Sequence, residues 1–327
     1  MQSFLKTPLH IGTLSLPNRL IQGPLAGFSC SAFRRLFYRF VPPAYCVSEM
    51  MSAHDVVYKH NFSSRYLFRA PEETRLCYQL AGHDPRLMAE AAAKLAAFQP
   101  DLLDINCGCP KTKIRKKGAG SALLQQPDTL KAIIRAVKDA TPCPLTVKIR
   151  IQGNDNDLIL AEQITEAGAD ALIVHGRRWV DDYDIACNFK QIARIKCHIA
   201  IPVIANGDIH DAETLHQAWL ETGCDAFMIS RAGTGKPWLY QQLLQEPALT
   251  VSQEHLIELF LLHLAYLSEQ ENEYQAVLQS KSLIRYYFKN RLAAFELPAF
   301  YALTSLAAIA DYLHSPRLRE AAAAVDL

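Results

Sequence analysis

The chain has 327 residues, half of them hydrophobic and a fifth charged, with a formal net charge of +1. That composition excludes an intrinsically disordered chain, and no apolar run approaches the ~20 residues needed to cross a bilayer. It also excludes a globally basic nucleic-acid binder, so any RNA surface must be a local patch.

The opening Met1-Gln-Ser-Phe-Leu-Lys-Thr-Pro8 lacks the apolar core and cleavage site of a secretory signal, and a cytoplasmic protein with no membrane partner is expected. The cysteines are nine, an odd number, and scattered; Cys46, Cys77 and Cys224 sit in apolar runs as small hydrophobes, which suits a reducing compartment. Cys107 and Cys109 lie close together, but without a second pair of ligands nearby they make a poor zinc site, so no metal is expected.

Short, nearly continuous apolar runs recur at residues 20–24, 44–49, 76–80, 102–106, 145–149, 171–175, 202–206 and 225–230. Such runs read as parallel strands buried on both faces. Helical periodicity lies between them, at residues 85–98, 127–140 and 158–167, where apolar side chains fall on one face. Residues 50–74 read as a long irregular connection, of the kind often tied to function. Eight strands alternating with helices predict an α/β fold, a (β/α)8 TIM barrel. After the last strand only helical periodicity remains, from His255 to about Ala324, with turn signals at Asn272, Leu297-Pro298 and Ser315-Pro316. The expected organisation is a barrel over residues 1–246 and a small all-helical domain over 250–327.

Catalytic groups in this fold sit at the C-terminal ends of the strands. Those ends carry Pro24-Leu25-Ala26-Gly27, Gln79, Asn106-Cys-Gly-Cys109-Pro, Lys148-Ile-Arg150, His175-Gly-Arg177, Asn206-Gly207-Asp208 and Ser230-Arg231-Ala-Gly233. Lys148 lies within Leu-Thr-Val-Lys-Ile, where an unpaired ammonium is costly, so it needs an anionic or strongly hydrogen-bonding partner. Barrels of this type often bind phosphate between the last two strands. Asn206-Gly207-Asp208 and Ser230-Arg231 supply backbone donors and a guanidinium there, although Asn-Gly-Asp is also ordinary turn chemistry. No Gly-x-Gly-x-x-Gly follows a first strand, so a mononucleotide such as FMN fits better than a dinucleotide.

These motifs resemble the tRNA-dihydrouridine synthases along nearly the whole chain. The likeness rests on Asn106-Cys-Gly-Cys109-Pro110 with Gly118-Ala-Gly-Ser-Ala-Leu-Leu124, and on Ser48-Glu49, Gln79-Leu-Ala-Gly82, Val147-Lys148-Ile-Arg150, Val174-His-Gly-Arg177 and Ile201-Pro-Val-Ile-Ala-Asn-Gly-Asp208. The resemblance implies that NADPH reduces FMN, that hydride passes from the flavin to C6 of a uracil in the D-loop of tRNA, and that Cys109 protonates C5. A free thiol, with an ordinary pKa of about 8.5, holds its proton at neutral pH and suits that role. It further implies FMN contacts at Pro24, Leu25, Ala26, Gln79, Lys148, His175, Asn206, Gly207, Asp208, Ser230 and Arg231. Asn106, Arg177 and Tyr183 fall to the substrate. Two departures stand out: Ser230 where glycine is usual, whose Cβ would crowd the phosphate or whose hydroxyl would donate to it, and the unusual Arg178-Trp179-Val-Asp181-Asp182.

Two basic patches suit RNA. Residues 111–117 hold five cations and no acid, Lys113 among them, directly after Cys109. Lys281, Arg285 and Lys289 recur every fourth residue as one helical stripe, with Arg291 adding charge. A base stacked in folded RNA must be taken out of the stack before its C5–C6 bond can react. The expected species is a monomer that binds tRNA. Reduction of a free small molecule accounts for the flavin residues but not for the patches; an RNA-binding protein that has lost the flavin is the reading Ser230 favours.

Overall fold

The computed structural model describes residues 1–59, 61, 64–245, 251–289 and 295–315. A short helix, α1 (Gln2–Leu5), leads into a hairpin of β1 (Leu9–Ile11) and β2 (Leu14–Leu16), turned at Gly12 with φ +54°. Next come β3 (Leu20–Gln22), α2 (Ser31–Phe37), β4 (Cys46–Val47), β5 (Met51–Ser52) and α3 (Ala53–Tyr58). Strand and helix then alternate: β6 (Leu76–Ala81), α4 (Pro85–Ala96), β7 (Leu102–Cys107), α5 (Thr112–Arg115), a 3-10 helix (Gly120–Gln125), α6 (Pro127–Ala140) and β8 (Leu145–Arg150). The series continues with α7 (Asn156–Glu166), β9 (Ala171–His175), α8 (Phe189–His198), β10 (Val203–Asn206), α9 (Ala212–Thr222), β11 (Ala226–Ile229) and α10 (Leu239–Leu244).

The main sheet is parallel throughout and runs β4-β3-β11-β10-β9-β8-β7-β6, with β4 pairing back onto β6 to close the predicted eight-stranded barrel. β5 pairs with the later residues of β6, so β4 and β5 are two halves of one strand position. The strand expected over 44–49 is therefore shortened to Cys46–Val47, β5 resumes the position after Ser48-Glu49-Met50, and β5 and α3 occupy part of the segment expected to be irregular. The break leaves the Glu49 carboxylate to accept from Gly27 N (2.5 Å) and Arg65 Nη2 (2.8 Å).

Alternate strand residues point in and out, and the two sets bury different partners. Leu103, Ile105 and Cys107 face the helices, while Ile21, Leu102, Ile173 and Met228 fill the barrel interior with Leu9, Ile11 and Leu16 of the hairpin. The hairpin, which sequence reasoning misses, closes the N-terminal end of the barrel. Its three-residue strands are too short to show a period.

The helical region holds α11 (Gln253–Gln270), α12 (Glu273–Tyr287), α13 (Leu297–Tyr301) and α14 (Leu306–Leu313). Ser252, Asn272 and Ser305 cap the starts of α11, α12 and α14 by accepting from the third backbone N–H onward, each worth about 1 kcal/mol. The predicted turn at Asn272 is thus a helix cap, and Pro298 sits in the first turn of α13, where its missing N–H costs nothing. These helices bury Phe260, Leu264, Leu283, Phe300 and Ile309 together with Ala32 and Leu36 of α2 and Cys30 at its N-terminal cap. The other face of α2 presents Phe33 and Phe37 to the barrel. The expected domain boundary at 246–250, Arg291, and the chain from Pro316 onward fall outside the described residues.

Candidate active site

The strand ends of β6, β7 and β8 meet in one polar chain. Asp104 points into the barrel from β7, is fully buried, and accepts from Gln79 Nε2 (2.7 Å) and Thr146 Oγ1 (2.6 Å). With its NH2 committed to Asp104, Gln79 turns Oε1 toward Asn106 Nδ2 (2.9 Å). Asn106 Oδ1 is then free to accept from Gly108 N (3.2 Å) and Cys109 N (2.9 Å). One carboxylate at the base thus sets the orientation of two amides and, through them, the backbone of Cys109. From the other side Ser121 N and Oγ both donate to Cys109 O, at 3.1 and 3.0 Å. Cys107 is fully buried toward the helices, whereas Cys109 stands partly exposed at the mouth.

Lys148 finds the partner its position demands: Nζ donates to Asn206 Oδ1 (2.8 Å), and Asn206 Nδ2 donates to Met228 O (2.8 Å). Burial pushes Asp104 up, to about 6, against the hydrogen bonds from Thr146 and Gln79 and the charge of Lys148. Burial draws Lys148 down, to about 8, with Asp104 opposing and Arg150 reinforcing the fall. Each group offsets part of the other's desolvation.

His175, 8% exposed, is held well below its usual pKa by burial and then by Lys148, Arg150, Arg177 and Arg231, so the ring is a neutral imidazole. Of those cations Arg177 pairs with Asp208 (2.6 Å). Arg150 instead donates to Arg178 O (2.8 Å) and Arg231 stacks 3.8 Å above the Tyr183 ring; among the described residues neither has an ion pair. The mouth between β8 and β11 therefore carries uncompensated positive charge. The turn there is also tightly packed: Gly207 has φ +115°, and a Cβ on it would lie 2.2 Å from Cys187 Sγ and 2.8 Å from the His175 ring. Ser230 tucks its hydroxyl toward Gly23, where an added Cβ would approach it to 2.5 Å. Positive charge and a Ser230 side chain turned aside suit a phosphate-bearing cofactor.

Pro24-Leu25-Ala26 forms a loop folded on itself by Ser29 N to Leu25 O (2.9 Å) and Leu25 N to Ser29 Oγ (2.9 Å). Glu49 ties this loop through Arg65 to Glu271 of the helical region, at 2.8 and 2.5 Å. Arg177, expected at the substrate, lies inside the β9–α8 loop. Its side chain is 2% exposed, and its donors are taken by Ile185 O, Tyr183 O and Asp208, so it braces the β9–α8 loop instead. The ring of Tyr183 on that loop is 58% exposed at the mouth. Lys113 and Lys289 are exposed, the latter beyond the end of α12. Lys281 and Arg285 line an open cleft of about 460 Å³ with Phe28, Tyr286 and Tyr301, between the β3–α2 loop and the helical region. Sequence reasoning passes over Asp104 and the Glu49–Arg65–Glu271 bridge. The reasoning that singles out Lys148, a charge inside an apolar strand, applies equally to Asp104 in Leu-Leu-Asp-Ile-Asn.

Comparison with known proteins gives a consistent picture. The dihydrouridine synthase family model matches residues 21–306. The chain is 39% identical over 239 residues to the probable tRNA-dihydrouridine synthase 1 of Synechocystis, covering 72% of this chain and 67% of that protein. It is 35% identical over 296 residues to tRNA-dihydrouridine synthase B of Vibrio vulnificus, covering 88% and 92%. Against the Escherichia coli K12 tRNA-dihydrouridine synthase B the identity is 37% over 238 residues, covering 72% and 74%. Among solved structures the barrel resembles a variant of NCR from Zymomonas mobilis (TM-score 0.56, 16% identity, covering 77% of this chain and 94% of that one). It also resembles morphinone reductase in complex with tetrahydroNAD (TM-score 0.53, 13% identity, covering 75% and 92%). At such identities these two speak for the fold alone.

Proposed function

Because the chain belongs to the dihydrouridine synthase family, we propose that it is a tRNA-dihydrouridine synthase, reducing the C5–C6 bond of D-loop uridines with FMN and NADPH. The observation that carries this reading is the Cys109 thiol at the lip of a positively charged mouth, its backbone fixed through Asn106 and Gln79 from Asp104. A flavin held here would supply the hydride chemistry for C6, with NADPH as the reductant. Cys109 Sγ–H gives its proton to C5, and solvent restores the thiol. Lys148 and the neutral His175 would lie against the flavin. Gly207, Asp208, Ser230 and Arg231 would surround its phosphate, with Pro24, Leu25, Ala26 and Gln79 lining the remainder. Ser230 gives no reason to expect loss of the cofactor, since its hydroxyl lies toward Gly23 and Asn206 Nδ2 (3.5 Å).

Tyr183 and Asn106 are assigned to the flipped base and its surroundings, and Lys113, Lys281, Arg285 and Lys289 to the flanking phosphates. The cleft bordered by Lys281 and Arg285 supports that assignment, because aromatic and cationic side chains together suit a nucleotide. No helix among the described residues is long and apolar enough to cross a membrane. We take the protein as a cytoplasmic monomer, with residues 1–246 holding the flavin and 250–327 gripping the RNA.

The test is Cys109→Ala. The variant should take up FMN and accept electrons from NADPH, while dihydrouridine formation on unmodified tRNA falls by about 100-fold or more. Undiminished product would overturn the acid assignment. A wild-type protein that takes up no FMN would overturn the flavin, and equal turnover of free uridine would favour a small-molecule reductase.

A further inference from the structure

The basic loop after Cys109 holds five cations, but they are not equivalent. Lys111, Lys113, Lys116 and Lys117 are exposed, while Arg115 is partly buried and engaged at both ends of its guanidinium. Its Cζ lies 3.5 Å from the centre of the Trp179 ring, and its Nη1 donates to Ser121 Oγ (2.9 Å). That same hydroxyl donates to Cys109 O (3.0 Å). Trp179 is itself built in from below. Arg178 and Asp181 form a turn closed by Arg178 N to Asp181 Oδ2 (2.8 Å) and a side-chain ion pair (2.7 Å). Arg150, 4% exposed at the end of β8, donates to Arg178 O (2.8 Å) and anchors that turn to the barrel. A continuous path thus runs from the end of β8 through the turn, the indole and the guanidinium to the carbonyl of Cys109.

We propose that Arg115 and Trp179 are positioning residues that latch the Cys109 loop to the β9–α8 loop across the end of β8. The proposal rests on the assignment of Cys109 as proton donor. Proton transfer to a carbon needs the thiol at a set place above the base, and Asn106 fixes only the N–H side of Cys109. The carbonyl side is fixed through Ser121, whose hydroxyl is held by Arg115. A planar guanidinium can stack on indole and donate to a hydroxyl at once; a lysine ammonium cannot reproduce both contacts. The latch also removes Arg115 from the cations available to RNA phosphate and leaves the four exposed lysines for that task.

The experiment compares Trp179→Ala, Trp179→Phe and Arg115→Lys in the FMN-loaded protein. Hydrogen exchange at the Cys109 and Ser121 amides is measured without RNA, followed by single-turnover oxidation of the reduced protein by tRNA and the salt dependence of tRNA affinity. Trp179→Ala and Arg115→Lys should speed exchange at those two amides roughly 2- to 30-fold, the range that loss of a cation–π contact allows. Single turnover should slow by a similar factor with the salt slope unchanged, and Trp179→Phe should recover most of the loss. Unaltered exchange in both variants would overturn the latch. So would normal exchange with weaker tRNA binding for Arg115→Lys, which would make Arg115 an RNA contact through its guanidinium. A wild-type protein that fails to reduce tRNA would overturn the proposed function, whereas the exchange measurement, run without RNA, decides the latch independently.

Discussion

Replacing Asp104 with leucine removes the acceptor at the base of the Gln79–Asn106–Cys109 chain. Two buried donors, Gln79 Nε2 and Thr146 Oγ1, lose partners now at 2.7 and 2.6 Å, and Lys148 loses its buried counter-charge. An orphaned buried donor costs about 1–3 kcal/mol, and two are left here. Because Thr146 Oγ1 can turn toward Leu103 O, the two do not add in full, and a total of about 2–4 kcal/mol is expected. Asp104→Asn keeps the shape. Its Oδ1 accepts from Gln79 while its NH2 meets Thr146 Oγ1, which can turn its own hydrogen toward Leu103 O at 3.4 Å. That variant should lose only about 1–2 kcal/mol, the difference between charged and neutral hydrogen bonds. Urea denaturation reads the stability, and single-turnover oxidation of the reduced protein by tRNA reads the site. The leucine variant should fail in both, because a reversed Gln79 amide would present NH2 to the NH2 of Asn106. If Asp104→Leu matches the wild type in stability and turnover, the orientation of Gln79 and Asn106 does not depend on Asp104.

Three further outcomes follow from the site. Burial lowers Lys148 to about 8, so its ammonium is complete below that pH and lost above it; FMN affinity of the apoprotein should fall about tenfold from pH 7 to pH 9. Lys148→Arg should flatten that profile in a flavin titration, and a flat wild-type profile would refute the role of Lys148. Gly207→Ala places a side chain at φ +115° and against Cys187 Sγ, and should cost about 1–3 kcal/mol in denaturation with loss of bound FMN; wild-type stability would contradict the close packing of that turn. Changing Lys281, Arg285 and Lys289 together to glutamate should weaken tRNA binding more than about tenfold and lessen its logarithmic salt slope by about 2, measured by filter binding across salt. An unchanged slope would remove the stripe from the RNA surface.

The barrel was legible because its strands are buried on both faces and so read as apolar runs from the sequence alone, β9 to the residue. Lys148 was legible for the complementary reason: an ammonium in such a run has to be partnered. The β1–β2 hairpin left no signal because three-residue strands carry too little pattern, and the partners of Glu49 at the break, Gly27 and Arg65, are distant in sequence. Arg177 reads from its His-Gly-Arg motif as a substrate residue. Only the folded loop shows that Ile185, Tyr183 and Asp208 consume its donors. Arg115 misleads in the same way, since membership of a basic run conceals the indole that holds it. Composition reports charge, whereas partners are assigned by tertiary contact.

The sharing of α2 between two cores has a consequence for how RNA is measured. Phe33 and Phe37 lock one side of the helix to the barrel, Ala32 and Leu36 lock the other to α11 and its neighbours, and Arg35 adds a bond to Glu269 (2.7 Å). With one helix packed into both, the Lys281–Arg285 cleft and the Cys109 thiol are joined through a shared element, like the jaws of a caliper. On the proposed function, the nucleotide that meets the thiol would be decided by where along its own contour the RNA is gripped. A shift of one residue in the stripe would then move the target without altering a single group at the reacting base.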